Sequence, residues 1–270
     1  MNFIQGEKFY DVADFIFSIN CNNDYNYISN TFDINKLKNI NIIYTHTMYI
    51  DNLFNIIRNL DNKFIVISHN SDITIMNLNN LPKNVIKWYS QNMCVSDERV
   101  CALPIGLENN RWFKELKKKE KMIEISKTDK KEKLIYMNHN INTNYKERIK
   151  PYMLFKNKSW VDFDMSYNGQ NFDHYLNNIY NHKFVISPSG NGIDTHRRWE
   201  CLYLNTIPIE IKNGNNIHFK DLPICFINDW SEITENFLDI EYKRIKNSNW
   251  NIEKLDMDYW KKIIIKDGID

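Results

Sequence analysis

The chain has 270 residues, of which 43% are hydrophobic and 26% charged, with a formal net charge of +1. That length buries enough core for one large domain or two smaller ones, and the near-neutral balance argues against nucleic acid or anionic membrane as a partner held by a broad charge field. The five cysteines are scattered, odd in number and form no CxxC pair, so neither a disulfide framework nor a zinc site is indicated.

The first residues, MNFIQGEKFYDVADF, lack the apolar stretch of a signal peptide, and no run of about 18 apolar residues occurs. A reduced, cytoplasmic protein with no membrane span is expected. Asn, Ile and Lys are so abundant that they carry little information; Gly, Pro, Arg, His and Trp carry more.

Along the chain, short apolar runs rich in β-branched residues alternate with amphipathic stretches, the pattern of an α/β protein. Asn41 to Tyr44 (NIIY) and Phe64 to Ser68 (FIVIS) read as buried strands. Between them, Ile50, Leu53, Phe54, Ile57 and Leu60 recur at helical spacing. Val100 to Leu107 (VCALPIGL) reads as a strand running into a turn at Pro104 and Gly106. Residues 114–133 are dense in charge and poor in core residues, which marks a solvated linker and a domain boundary.

After it the rhythm resumes. Strands are expected at Leu134 to Met137, Lys183 to Ser187, Ile207 to Ile211 and Ile224 to Ile227. Helices are expected at Asn144 to Phe155 (kinked or begun near Pro151), Phe172 to Asn181, Thr195 to Leu204, Ser231 to Lys246 and Met257 to Lys266. The fold class is therefore α/β, with two Rossmann-like domains facing a cleft: 1–115, a charged linker at 116–132 that serves as hinge, and 133–270.

The most informative stretch is KFVISPSGNGIDTHRRWECLYLNTIPIE, Lys183 to Glu210. A strand ends in a loop holding two of the seven glycines, and a helix follows. Free backbone N–H groups and the helix dipole at such a junction favour a phosphate. His196, Arg197 and Arg198 add donors, and an arginine fork suits the paired oxygens of a diphosphate. Glu200 lies three residues after Arg197 on one helix face, where a carboxylate can accept the hydroxyls of a ribose. The plainer alternative for an RxxE pair is a surface ion pair; the glycine loop before it and the strand after it favour a nucleotide site.

This segment resembles the donor-binding segment of exostosin-type glycosyltransferases, roughly SPxGxG…RxxEAxxxGxIPV. It is more distantly similar to that of α1,3-fucosyltransferases. Ser187, Pro188, Gly190, Gly192, Arg197, Glu200, Ile207 and Pro208 match, while Cys201 replaces Ala and Asn205 replaces Gly. Asn205 is accommodated if it adopts the left-handed conformation. LIYMNHNINTNYKER resembles the first strand and loop of the same domain, and LPICFINDWSEIT the segment after the motif. The N-terminal runs FIVISHNSD and IKWYSQN…ALPIGLENNRW look like the family's other domain.

The resemblance implies a GT-B-like enzyme moving a sugar from a nucleoside-diphosphate donor to a glycan or small acceptor. A uridine donor is slightly favoured over a guanosine one. Donor-binding residues are then Asn138, Asn140, Thr143, Arg148, Ser187, Ser189, Gly190, Asn191, Gly192, Asp194, Thr195, His196, Arg197, Arg198 and Glu200. No metal and no cofactor beyond the donor is expected, the positive charge coming from Arg148, Arg197 and Arg198.

An inverting reaction needs a general base from the N-terminal domain. His69 and Asp72, in SHNSD at a strand end, are the candidates, ahead of Glu7, Asp14 and His46; a retaining reaction needs none. Asp162-Phe163-Asp164 spells the manganese motif DxD but lies far from the expected strand–donor junction, and reads as a surface turn. A Rossmann-type oxidoreductase or a nucleotide-dependent ligase is disfavoured, since no GxGxxG follows the first strand of either half and no P-loop is present. A glycan- or nucleotide-binding protein that keeps the fold without turnover remains the alternative.

Overall fold

The computed structural model describes residues 1–18, 34–110, 122, 131–164 and 172–269. Most of the expected linker, 116–132, lies outside the described residues. The chain divides into two compact units, Met1–Ile105 with Asp256–Asp270, and Gly106–Leu255. Each is built on a five-stranded parallel sheet with helices, so the chain is α/β as expected.

In the first unit the strands are β1 (Phe15–Phe17), β2 (Ile42–His46), β3 (Phe64–His69), β4 (Val85–Gln91) and β5 (Val100–Leu103). They lie in the order β1-β2-β3-β4-β5, with every neighbour parallel. β3 is buried at every position, as a central strand covered on both faces must be. Helix α1 (Ile50–Ile57) buries Ile50, Leu53, Phe54 and Ile57, the predicted stripe. Phe54 packs edge-on against Trp88 of β4, ring centroids 5.1 Å apart.

The second unit runs β6 (Lys133–Met137), α2 (Tyr145–Phe155), β7 (Val161–Phe163), α3 (Phe172–Asn181), β8 (His182–Ile186), α4 (His196–Tyr203), β9 (Ile207–Ile211), β10 (Cys225–Ile227) and α5 (Glu235–Lys246). Its sheet order is β10-β9-β8-β6-β7. From β6 the chain steps outward to β7, then crosses back to lay β8 on the other side of β6. The order reverses between β6 and β8, and in open α/β sheets the crevice beyond the strand ends at such a point is where ligands bind. The first sheet, wound in one sequence, has no such reversal among the described residues.

The last helix, α6 (Met257–Ile269), belongs to the first unit and not to 133–270. Its Asp267 accepts a hydrogen bond from Tyr89 of β4, and Gly268 lies so close to β2 that an added Cβ would meet Ile42 at 3.1 Å. Tyr89 follows Trp88, so the two point to opposite faces. Helix α6 therefore covers the face of the first sheet that α1 leaves open, and burial of that face draws the chain end back.

Three strands were not anticipated: β1, β4 and β7. The last corrects the reading of Asp162 to Asp164 as a turn, for Val161–Phe163 is the edge strand beside β6. Asp162 pairs with Lys133, and Asp164 accepts from Tyr136 at 3.2 Å and from His174 at 3.1 Å. Pro151 sits inside α2 without ending it.

Asn205 has φ 54°, the left-handed conformation the sequence required of it. The Thr206 amide bonds to Cys201 O at 2.9 Å and the Asn205 amide to Leu202 O at 3.2 Å, the Schellman pattern in which asparagine replaces glycine. Among the described residues no helix is long and apolar enough to cross a membrane.

Candidate functional site

The crevice between β6 and β8 is lined by the loops that follow them. Arg148, from the first turns of α2, spans both: its Nε donates to Ser189 O and its Nη1 to Asn140 O, each at 2.9 Å. Asn144 Nδ2 donates to Gly190 O at 2.8 Å. A Cβ at Gly190 would stand 3.1 Å from Arg148 Nη2, a tight contact that the glycine avoids. The loop closes on itself through Gly190 N–H to Gly192 O at 3.0 Å. Arg148 thus fastens the two loops together, a scaffolding task that the expected phosphate contact did not include.

The loop delivers the chain into α4. Thr195 is its N-cap residue, yet the Thr195 side chain makes no capping bond. The helix head consequently keeps donors for an outside acceptor. A small hollow, of about 10 Å³, lies beside the loop against Ser187, Ser189, Thr195, Glu210 and Asn213.

The two neighbouring arginines go opposite ways. Arg198 is 1% exposed. It forks onto Glu210 of β9, meets Asp194 at 2.9 Å, and donates to Asn215 Oδ1 at 3.2 Å. Trp199 Nε1 also donates to Asp194, at 3.0 Å. The expectation that Arg198 and Asp194 hold the donor is corrected: a guanidinium surrounded by two buried carboxylates has no open fork for a phosphate, and this ion cluster serves the core.

Arg197 is only half-buried, and no carboxylate pairs with it among the described residues. Its Nε lies 3.5 Å from Tyr175 Oη, and the guanidinium sits over the Tyr175 ring at 5.9 Å. The same hydroxyl donates to Glu200 Oε2 at 2.5 Å. Arg197 and Glu200 are joined through Tyr175 of α3 rather than directly. Burial raises the Glu200 carboxyl above its ordinary value, against the pull of the Tyr175 hydroxyl and the nearby His196 and Arg197. Its Oε1 receives no donor from the described residues.

Beneath Arg197 lie Asn138 and His139, both buried. His139 Nε2 donates to Arg148 O at 3.0 Å, and burial, with the charge of Arg197, pushes its imidazole down to about 3. Asn138 Oδ1 and His139 Nδ1 have no hydrogen-bond partner among the described residues. Asn140 caps a short turn through Asn142 N–H at 2.9 Å. Thr143 and Asn191 are exposed, Ser189 is half-buried, and Ser187 is buried against Glu210.

The two residues expected to act as base are in the first unit, and the structure gives them different surroundings. His69 is 0% exposed. Its Nε2 donates to Pro104 O at 3.0 Å, and its Nδ1 accepts from Asn70 N–H at 2.8 Å. With both ring nitrogens engaged, no lone pair is left to take a proton from an acceptor, and the expectation is corrected. Asp72 is exposed.

No protein-family model and no curated protein matches the chain. Among solved structures, one that aligns with it is the DNA-modifying enzyme β-glucosyltransferase, described with and without its substrate uridine diphosphoglucose. The alignment has a TM-score of 0.33 and 11% identity, and covers 94% of this chain and 84% of that one.

Sequence reasoning missed Tyr175, Glu210 and Asn144. Glu210 had a signal: a lone carboxylate in the buried strand IPIEI must be paired. Tyr175 occupies an ordinary apolar position of α3, and nothing in the sequence separates it from the core tyrosines.

Proposed function

We propose that the chain is a glycosyltransferase that binds a nucleoside-diphosphate sugar at the β6–β8 switch point of its second unit, without a metal ion. The observation that carries this reading is Arg197: a half-buried cation without a carboxylate partner among the described residues, beside an uncapped helix head. Such a cation attracts an anion, and its planar fork fits a diphosphate. One turn on, Glu200 accepts from Tyr175 at Oε2, and in this reading its other oxygen accepts a ribose hydroxyl. Both substituents of a nucleoside diphosphate are thereby matched on one helix face.

In this reading the α4 amides and Arg197 stabilise the charge that develops on the leaving diphosphate. Arg148 and Gly190 hold the loop shape that presents those amides. Arg198 and Asp194 are left out of the donor contacts. The acceptor is a glycan or small hydroxyl compound, and the base that would activate it is unassigned once His69 is removed. That gap favours a second reading, a nucleotide- or glycan-binding protein that does not turn over.

The test is thermal stabilisation by a panel of nucleoside diphosphates without metal, on wild type and Arg197→Ala. A ligand at about 100 times its dissociation constant adds roughly 2.7 kcal/mol. Stabilisation by one diphosphate, lost in Arg197→Ala, supports the site and identifies the base. Sugar release from the matching nucleotide sugar then separates transfer from binding alone. No stabilisation by any diphosphate sinks the reading.

A further inference from the structure

Strand β6 runs out into two side chains that the fold buries without supplying all their hydrogen bonds. Asn138 is 3% exposed and His139 4%. His139 Nε2 donates to Arg148 O at 3.0 Å. A carbonyl only accepts, so the ring proton sits on Nε2 and Nδ1 presents a lone pair. Burial and the charge of Arg197 push the imidazole down to about 3, so Nδ1 stays an acceptor at neutral pH.

The Asn138 amide is oriented by its own neighbour. The Tyr136 hydroxyl donates its proton to Asp164 at 3.2 Å, and the Asn138 side chain lies within hydrogen-bonding reach of that hydroxyl. Only the amide nitrogen can donate to an oxygen whose proton is already used. Asn138 therefore turns Nδ2 to Tyr136 and keeps Oδ1 over. Asn138 Oδ1 and His139 Nδ1 are thus two acceptors on adjacent residues, both closed to solvent and without a donor among the described residues. A buried acceptor without a donor is costly, and each one calls for an explanation. These two sit together at the switch point, where open α/β sheets bind ligands.

Their chemistry says what they can receive. Two acceptors repel a phosphate, whereas hydroxyl groups donate to both. The charge of Arg197 acts on His139 and on the Tyr136 hydroxyl, while Glu200 is not among the charges that act on His139. The pair is coupled to the proposed diphosphate anchor and not to the proposed ribose contact. In a nucleoside-diphosphate sugar the diphosphate separates the ribose from the sugar, so a group beside the anchor and away from the ribose meets the sugar.

We infer that Asn138 Oδ1 and His139 Nδ1 form a subsite for the sugar of the donor, each accepting a hydrogen bond from a hydroxyl of a hexose-like ring. The inference rests on the nucleotide reading above and names the part of the ligand that these residues take. Without ligand both atoms are covered; they open to the sugar as the Arg197 guanidinium turns to the diphosphate. Sugar recognition is thereby tied to diphosphate capture, and a bare nucleoside diphosphate leaves the pair unsatisfied.

Calorimetry tests this on wild type, Asn138→Leu, His139→Leu and His139→Gln. The ligands are UDP and GDP, and the sugar nucleotides UDP-glucose, UDP-galactose, UDP-N-acetylglucosamine, GDP-mannose and GDP-fucose. The quantity read is the ratio of sugar-nucleotide affinity to bare-diphosphate affinity, which cancels general damage to the nucleotide site. In Asn138→Leu and His139→Leu this ratio falls about tenfold for the sugar nucleotide that wild type binds best, the effect of losing one net hydrogen bond. His139→Gln, with a nitrogen for Arg148 O and an oxygen for the sugar, restores most of the ratio. Asn138→Leu leaves the Arg148 bond intact, so it decides the matter if His139→Leu does not fold. An equal loss for bare diphosphate and sugar nucleotide shows that the pair only props the loop or reads the base, and overturns the inference. Ratios equal to wild type in both leucine variants overturn it as well, with buried water as the only occupant. If neither diphosphate binds wild type, the nucleotide reading itself fails, and the sugar subsite falls with it.

Discussion

The Arg198 guanidinium and the Glu210 carboxylate meet fork to fork, Nε to Oε1 and Nη2 to Oε2, each at 2.8 Å. Both are buried, with Asp194, Asn215 and Asn216 completing the cluster. The pair joins α4 to β9, and so fixes how the helix head is presented at the end of the sheet. Consecutive arginines thus divide the work: Arg198 anchors the helix, and Arg197 stays open beside the crevice.

Arg198→Ala should destabilise the protein by about 3–5 kcal/mol, because two buried carboxylates lose their cation. Urea unfolding of the full chain measures this. Arg197→Ala, which breaks no ion pair among the described residues, should cost less, about 1 kcal/mol. Equal losses from the two substitutions would contradict the division of labour.

Glu200 gives a pH signature. Burial raises its folded-state carboxyl above the value of 4.5 that it has when exposed, so between those two values the folded state holds more protons than the unfolded one. Stability is then present below pH 4.5 and is lost as pH rises through the raised folded value. Glu200→Gln keeps an oxygen for the Tyr175 hydroxyl and carries no charge at any pH. The variant should match wild type near pH 4 and exceed it at pH 7. Unfolding curves at the two pH values decide it; a constant difference would show that Glu200 does not titrate as a buried group.

His139 titrates in the opposite sense. Its imidazole ordinarily takes a proton at 6.5, but burial holds the folded form down to about 3. Below pH 6.5 the unfolded chain binds a proton that the folded one refuses, and stability falls by about 1.4 kcal/mol per pH unit until the folded value is reached. His139→Gln removes this term, so its stability should fall less steeply than that of wild type between pH 6.5 and 4. Parallel slopes in denaturant titrations would rule the effect out.

These contrasts show what was legible in the sequence and what was not. Periodicity found α1 and α3 because their apolar stripes are regular, and the boundaries of β9 were visible because Pro208 and the Asn205 cap punctuate them. β7 has only three residues, with Asp162 in its middle and Asp164 just after it, too short for an alternation to register. The position of α6 was hidden for another reason: which sheet a terminal amphipathic helix covers depends on which face lacks a lid, a property of the assembled unit. At the site, the motif located Arg197 and Glu200, but a run of cations cannot say which one turns inward. That is decided by Glu210, twelve residues away on strand β9.

Gly6 carries the last prediction, and it concerns His69. The glycine packs on the end of β3, where an added Cβ would lie 2.0 Å from Asn70 Oδ1 and 2.6 Å from His69 Nδ1. Asn70 is itself constrained, with φ 55°, its amide bonded to Gln91 Oε1 at 2.9 Å and its side chain to Tyr10 Oη at 2.8 Å. His69 is held from the other side by Pro104 O and lies 5.1 Å from the Phe9 ring. Neither side chain has room to withdraw. Gly6→Ala should therefore cost on the order of 1–3 kcal/mol or more, the range for overpacking a tight core. Thermal unfolding would show the loss, and nucleotide binding to the second unit should persist in the folded fraction. If Gly6→Ala leaves the melting temperature unchanged, the packing of His69 is looser than described, and its role as a possible base reopens.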